Sequence, residues 1–311
     1  MLLVFRGEIP AADSLDAVFW NLENFFDWTD RGGGESDKEF SSFGARHWSK
    51  RKFTQKCEAI SKAVYWIAGR NSRLPDIFCV AEVENKYVLG KLLEITALHK
   101  AEYEIVHYDS PDTRGIDVAL MYRPSELELL GSKPVRVHPP AGKDLSTRDM
   151  LLCQFRRRSD GAEFSVVVNH HPSKYGGGES DWKREIVVGR LHALCDSLLD
   201  SGEEEIIATG DFNDTPENPV LAKISPTLLN LALPLAERGA GSIRFDGKWE
   251  LIDMFLVSER LSGSRMEVLR IPFLLTRDKA HGGDKPLRTY AGPRFLGGVS
   301  DHLPVFLRFS P

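Results

Sequence analysis

The sequence predicts a layered α/β fold, in which two packed β-sheets carry helices on their outer faces. Three observations lead there. Strand-like runs rich in β-branched and aromatic residues recur along the chain and outnumber the helical stretches. Several are apolar almost throughout, as strands covered on both faces must be. Many follow one another with no helix between, unlike the strict alternation of a βα barrel.

In chain order, the first strand is LDAVFW at 15–20. A helix follows near 52–68, where Phe53, Ile60, Val64 and Ile67 recur at helical spacing. The strand IFCVAEV at 77–83 leads to a second helix at 86–98, then to YEIVHY at 103–108 and DVALMY at 117–122. MLLCQF at 150–155 and FSVVVNH at 164–170 precede a third helix at 182–199, whose stripe is Ile186, Val187, Leu191, Leu194 and Leu198. EIIATGDF at 205–212, LIDMFLVS at 251–258 and HLPVFLRF at 302–309 complete the strands. Residues 27–50 and 172–181 are Gly-rich and polar, hence loops, and 276–300 is a third irregular stretch. Without an internal repeat or linker, 311 residues suit one domain spanning 1–311.

The formal net charge of −5 argues against binding nucleic acid by bulk electrostatics alone. It leaves room for a nuclease, because a bound cation and a few local Lys/Arg residues can place positive charge where it is needed. No apolar run approaches the ~20 residues that span a bilayer, and MLLVF at the start is too short for a signal-peptide core. Cys57, Cys79, Cys153 and Cys195 lack metal-ligand spacing and read as buried thiols. Localisation therefore leans cytoplasmic, with a secreted or periplasmic protein as the alternative if a leader has been removed. No obligate protein partner is evident.

The unusual feature is the polar residues at strand ends. FWNLEN ends the first strand with Asn21 and Glu23, and Glu82 enters the apolar IFCVAEV. VVVNHHPSK places Asn169, His170 and His171 after an apolar run. IIATGDFND ends with Asp211, Asn213 and Asp214; Asp253 is embedded in LIDMFLV; GVSDHLPVFL begins with Asp301 and His302. Each has a plain alternative. Asn21, Asp211 and Asp301 suit turns or caps, His170 suits a hydrogen-bonded core, and Asp253 a bond to a backbone amide. Together they are hard to dismiss, because a buried carboxylate is costly unless paired or bound to a cation. Oxygen ligands of this kind suit Mg²⁺, Mn²⁺ or Ca²⁺. Histidines beside them can transfer protons, and Asn amides can donate to phosphate oxygens.

WNLEN, AEVEN, RGIDVALMY, VNHHPSK, GDFND, LIDMFLVS and SDHLP, in that order over about 16–309, resemble the endonuclease/exonuclease/phosphatase superfamily and within it a bacterial branch. The resemblance implies a four-layer αββα sandwich of two mostly antiparallel sheets flanked by helices, and divalent-metal-dependent hydrolysis of phosphate esters. Nucleic-acid phosphodiesters (DNA or RNA) are the first expectation. A small or lipid-linked phosphate is the second, and a non-catalytic binding module a minor third. It implies Glu82 as principal metal ligand, with Glu23 and Asn21 beside the metal and Asp301 a further ligand, directly or through water. His302 would stand at the phosphate, oriented by Asp253. Asp211 would position or deprotonate the attacking water, Asn213 would bond the phosphate, and His170 would protonate the leaving oxygen or steady the phosphate. Strand alternation allows only one of the adjacent histidines to face the site, so His171 is expected to face outward or line the rim. Arg114 and Lys174 could contact substrate phosphate, surface ion pairs being the alternative. Trp28, Trp48 and Trp182 flank the Gly-rich loops and suit loop-anchoring packing, with stacking on a base or a lipid head group as the other use.

Overall fold

The structure, a computed structural model, describes residues 14–29, 34–139, 141, 145–174, 181–224 and 227–311. The opening MLLVF, the first two glycines of the GGGES at 32–36 and the whole GGGES at 176–180 lie outside the described residues. One six-stranded sheet contains β1 (Leu15–Phe25), β2 (Ile77–Val83), β3 (Glu104–His107), β4 (Asp117–Tyr122), Arg265–Val268 and Val305–Phe309. In space, Arg265–Val268 comes first, followed by Val305–Phe309, β1, β2, β4 and β3. The second contains β5 (Leu127–Val135), β6 (Met150–Arg157), β7 (Glu163–His170), β8 (Ile206–Asp211), β9 (Leu229–Asn230) and Asp253–Val257. Asp253–Val257 lies between β8 and β9, and the other strands follow chain order. Each sheet has one parallel pair, β1 with β2 and β7 with β8, and is otherwise antiparallel.

Side-chain alternation builds the layers. Ala17, Phe19, Cys79 and Ala81 turn towards the second sheet, while Val18, Trp20, Phe78 and Val80 pack under helices α1 (Lys50–Asn71) and α2 (Lys86–Ile95). Helix α3 (Asp181–Asp200) lays Val187, Leu191, Leu194 and Leu198 on the other sheet. The result is the four-layer sandwich expected, each large buried side chain contributing about 1.5–3 kcal/mol before conformational entropy is counted. Ser49 starts α1 by accepting from the Lys52 N–H, and Asn85 starts α2 by accepting from the Val88 N–H. All four cysteines are buried, free thiols.

Two departures from the sequence reading have clear causes. Leu127–Val135 forms a strand, although Pro134 and half-exposed alternation hid it, because an edge strand tolerates proline. The segment 276–300 is not plain loop: its ribbons Leu275–Arg277/Asp284–Pro286 and Tyr290–Ala291/Arg294–Phe295 are built on two- and three-residue strands too short to show a period. A third ribbon, Ile243–Phe245/Lys248–Glu250, joins the catalytic-looking edge through a bridge between Ile243 and His302.

The parallel pairs matter for position. They sit at the sheet centres and send the carboxyl ends of β1, β2, β7 and β8 to the same edge. In register, Asp211 lies opposite both His170 and Asp253. Gly210 lets β7 and β8 close up there, since a Cβ would meet the Asn169 carbonyl oxygen at 2.1 Å.

Candidate active site

Alternation carries Asn21 inward in step with Ala17 and Phe19, where its amide donates to Asp211 Oδ2 at 3.0 Å. Beyond it the ladder of β1 and β2 breaks register on both strands, and Glu23, Asn24 and Glu82 adopt left-handed φ of 47°, 54° and 59°. Non-glycine residues rarely hold this conformation, and here it turns Glu82 out of the helix-facing alternation of β2. The Asn24 N–H then donates to Glu82 Oε2 at 2.9 Å, and Arg114 reaches the same oxygen at 3.3 Å and Asn24 Oδ1 at 2.6 Å.

His302 is fixed from three sides. Its carbonyl accepts from Trp20 Nε1 at 2.9 Å, its N–H donates to Ser300 Oγ at 3.0 Å, and Nδ1 donates to Asp253 Oδ2 at 2.7 Å. Ser300 in turn donates to the Asn21 carbonyl at 2.6 Å, tying the segment before the last strand to β1. The other ring nitrogen, Nε2, faces Asp211 Oδ2 at 3.8 Å and Asp301 Oδ1 at 3.9 Å. His170 Nε2 faces Asp211 Oδ2 at 3.6 Å and Glu82 Oε1 at 4.0 Å. These four distances are too long for hydrogen bonds, so the groups crowd one point without bonding to one another.

Electrostatics follow from burial. Burial, with Asp253 nearby, pushes Asp211 up to about 7. Burial, with Asp301 adding to it, does the same to Glu23. Glu82 moves the other way, because Arg114 and the Asn24 N–H outweigh its burial. His302 is raised well above its ordinary value: burial alone would lower it, but Asp253 and Asp211 prevail. His170 is driven well below, by burial and then by Arg148 and Arg114.

Glu23 differs from the expectation of a group beside a metal. Arg288 grips Oε1 through Nε at 2.9 Å and Nη2 at 2.7 Å, and the Thr289 N–H donates to Oε2 at 2.8 Å. Arg288 Nη2 also reaches Asp301 Oδ2 at 3.1 Å. Asn213, at a left-handed φ of 49°, gives one amide hydrogen to the His171 carbonyl and keeps the other. Lys174 lies on Asp214 at 3.2 Å, away from the Asp211 group. His171 corrects the sequence reading. It is fully buried, with its ring 4.7 Å from that of Phe212, because the chain leaves β7 after His170 and alternation no longer applies. Trp48 anchors its loop, donating to the Phe26 carbonyl at 2.8 Å.

Two residues escaped sequence reasoning. Lys56, 1% exposed, donates to the Glu23 carbonyl at 2.6 Å and to Thr289 Oγ1 at 2.9 Å. Its signal was present: a lysine on the apolar stripe Phe53–Cys57–Ile60–Val64 of α1. Arg288 had none, lying in an aperiodic segment.

A model of the endonuclease/exonuclease/phosphatase family matches residues 17–310. The chain belongs to this family. Endonuclease/exonuclease/phosphatase proteins are phosphoesterase hydrolases that depend on divalent metal. No curated protein matches the sequence. Among solved structures, a Bacteroides thetaiotaomicron mannosyl-6-phosphatase is 17% identical with a TM-score of 0.62, covering 95% of this chain and 99% of its own. The human Nocturnin catalytic domain with bound sulfate is 15% identical with a TM-score of 0.58, covering 96% and 94%. D. rerio TDP2 in complex with a single-strand DNA product is 11% identical with a TM-score of 0.57, covering 96% and 99%. At these identities the likeness is one of fold. Among the described residues, no helix is long and apolar enough to cross a membrane.

Proposed function

We propose that this chain hydrolyses phosphodiesters of nucleic acid by single-step attack of water, with a divalent cation held at Glu82. One observation carries the reading: side chains from β1, β7 and the segment holding Asp301–His302 converge on Asp211 Oδ2, with Asn21 at 3.0 Å and the Nε2 atoms of His170 and His302 at 3.6 and 3.8 Å, while Glu82 and Asp301 stand 4.0 and 3.9 Å from those two histidines.

The residues fit a hard divalent ion. The donors are carboxylate and amide oxygens, from Glu82, Asp301 and Asn21, and the thiols are buried in the hydrophobic cores. Asp211, pushed up to about 7 by burial with an amide as its closest side-chain partner, and Asp253 Oδ1, buried without a hydrogen-bond partner, suit a place where a bound cation adds positive charge. Mg²⁺ or Mn²⁺ suits this set, and Ca²⁺ is chemically admissible. When bound, the ion supplies Lewis-acid polarisation of the phosphoryl oxygens. Glu23, held on both oxygens, acts better as the anchor of Arg288 than as a ligand.

The chain's own groups do the rest. Asp211 takes a proton from the attacking water as its oxygen bonds to phosphorus, and a carboxylate near 7 is matched to that task. Asn21 holds Asp211 in place, and the remaining amide hydrogen of Asn213 meets a phosphoryl oxygen. His302, kept protonated by Asp253, gives its Nε2 proton to the leaving oxygen as the phosphorus–oxygen bond breaks. His170, held neutral, donates a hydrogen bond to the phosphate. Arg114 adds positive charge from the rim, and Lys174 could swing from Asp214 to join it.

Hydrolysis of plasmid DNA, single-stranded DNA and bis-p-nitrophenyl phosphate is expected with Mg²⁺ or Mn²⁺, to vanish in EDTA, and to vanish in Glu82→Ala. Metal-independent cleavage would sink the assignment. Cleavage of the small diester alone would keep the chemistry and move the substrate to a small or lipid-linked phosphate. A steep loss of DNA cleavage with salt is the sign of a nucleic-acid substrate.

A further inference from the structure

Beside the catalytic group lies a second concavity of about 200 Å³, with Arg288 and Asp301 at its floor. Those two residues touch each other and the cluster, at 3.1 Å between themselves and 3.9 Å from Asp301 Oδ1 to His302 Nε2, so this pocket opens beside the reacting phosphate. Its walls come from the ribbon Ile243–Phe245/Lys248–Glu250 and the two ribbons between 275 and 295. The lining mixes apolar Ile243, Phe245, Pro286 and Leu296 with polar Arg244, Thr276 and Lys285.

Phe245 is the unexplained residue. It is 70% exposed, although the ribbon bearing it is firmly held. Asp246 and Gly247, with φ of 45° and 78°, make the tight two-residue turn that suits a right-twisted hairpin. His281 reaches Asp246 at 3.3 Å and Asp278 at 3.4 Å, pinning the turn from below. Arg270 stacks on Trp249 at 4.5 Å, and the Leu303 N–H donates to the Ser242 carbonyl at 2.7 Å. The ribbon is thereby coupled to the His302 segment, and an aromatic face is held in water at the mouth of a pocket touching the active site. Exposing such a ring forgoes its hydrophobic stabilisation.

Resting on the phosphoesterase reading above, we propose that this pocket receives one unpaired nucleobase flanking the phosphate that is hydrolysed, with Phe245 as its stacking face. The size supports one planar ring system, being well below the ~300–1,000 Å³ of sites for drug-sized ligands. A lining that combines an aromatic and aliphatic residues with Lys285 and Arg288 matches a base with its adjoining phosphate: stacking engages the ring, while Lys285 and Arg288 meet the backbone. Lys285 is suited to this, being half exposed and only loosely held by Asp278 at 3.4 Å. Paired, stacked bases cannot enter a slot of this size, so only a single-stranded or frayed strand fills it, and duplex plasmid is cut without its help.

The test compares two single-stranded oligomers of equal length and charge, oligothymidylate and its abasic tetrahydrofuran counterpart, with bis-p-nitrophenyl phosphate as control. Wild type is expected to cut oligothymidylate with a kcat/KM ~10-fold or more above the abasic strand, the scale of losing one base–aromatic stack. Phe245→Ala should erase that preference while leaving the abasic and small-diester rates unchanged, and Phe245→Trp should restore it. Equal rates on both oligomers, or a preference that survives Phe245→Ala, would overturn the proposal. Hydrolysis of the small diester with neither oligomer cut would overturn it too, leaving the phosphoesterase reading intact. If nothing is hydrolysed, that reading fails, and the anisotropy of both labelled oligomers in EDTA still decides the pocket. Tighter binding of the base-bearing strand, lost in Phe245→Ala, would support it; equal binding would overturn it.

Discussion

At the amino-terminal end of β1 and just before β2, Asp16 and Asp76 are buried as deeply as any carboxylate at the opposite edge of the same strands. There the protein supplies the counter-charge itself. Arg308 grips Asp16 through two nitrogens at 2.8 and 2.9 Å. Asp76 takes Arg73, Arg123 at 3.3 Å and the Asp16 N–H at 2.8 Å. At the site edge, Asp211 has Asn21 as its closest side-chain partner, two histidines stand off at 3.6 and 3.8 Å, and Asp253 Oδ1 has no hydrogen-bond partner. Burial of a carboxylate therefore does not mark function. The site edge differs in that no arginine or lysine closes on Asp211, whose charge a bound cation would meet.

The contrast can be attacked from both ends. The largest effect belongs to the site edge: His302→Ala should cut turnover on the order of 10²-fold or more with an unchanged circular dichroism spectrum and melting profile. Near-wild-type hydrolysis by that variant would remove His302 from the reaction. At the far edge, Asp76→Ala should cost about 3 kcal/mol in urea unfolding, the low end for breaking a buried pair, because Arg73 and Arg123 can still reach solvent. Its kcat should match wild type below the transition; a stable but slow variant would show that the edges are not independent.

The smallest effect concerns His171, buried between them in character: near the site, yet engaged in packing. Burial, with Arg148 and Arg184 adding to it, depresses His171 to about 3. Its folded value lies below the 6.5 of a free histidine, so the unfolded chain takes up the proton first. Stability is then lost as pH falls from about 6.5 towards 3. His171→Phe, keeping a ring against Phe212, should gain in melting temperature relative to wild type as the pH drops from 7 to 4.5. A difference that stays constant across that range would show that His171 does not titrate in this way.

Much of the site was legible because its residues break a local rule. Glu82 in an apolar strand, Asp253 in LIDMFLV and a histidine pair after VVVN are each improbable without a purpose. The same rule also shows its limit. Asp16 in LDAVFW and Asp76 before IFCV break it equally, and they serve stability. What separates the two sets is the position of Arg308 and Arg73, and the Asp16–Arg308 pair joins residues nearly the whole chain apart. Arg288 illustrates the same point from the other side: nothing around it in sequence announced its grip on Glu23, 265 residues away.

By itself, then, the sequence determined the long apolar strands, the three long helices, the family and most of the acidic, amide and histidine groups at one edge. Those follow from alternation, helical spacing and short motifs, which are local and survive as pattern. Only the tertiary structure decided which carboxylates are neutralised, that Glu23 faces Arg288, that His171 is packed away, and that Phe245 lines a pocket next to Arg288 and Asp301. These depend on sheet register, on left-handed residues that redirect side chains, and on contacts between distant segments. Charge balance and concavity are properties of the assembled space, and no window along the chain contains them.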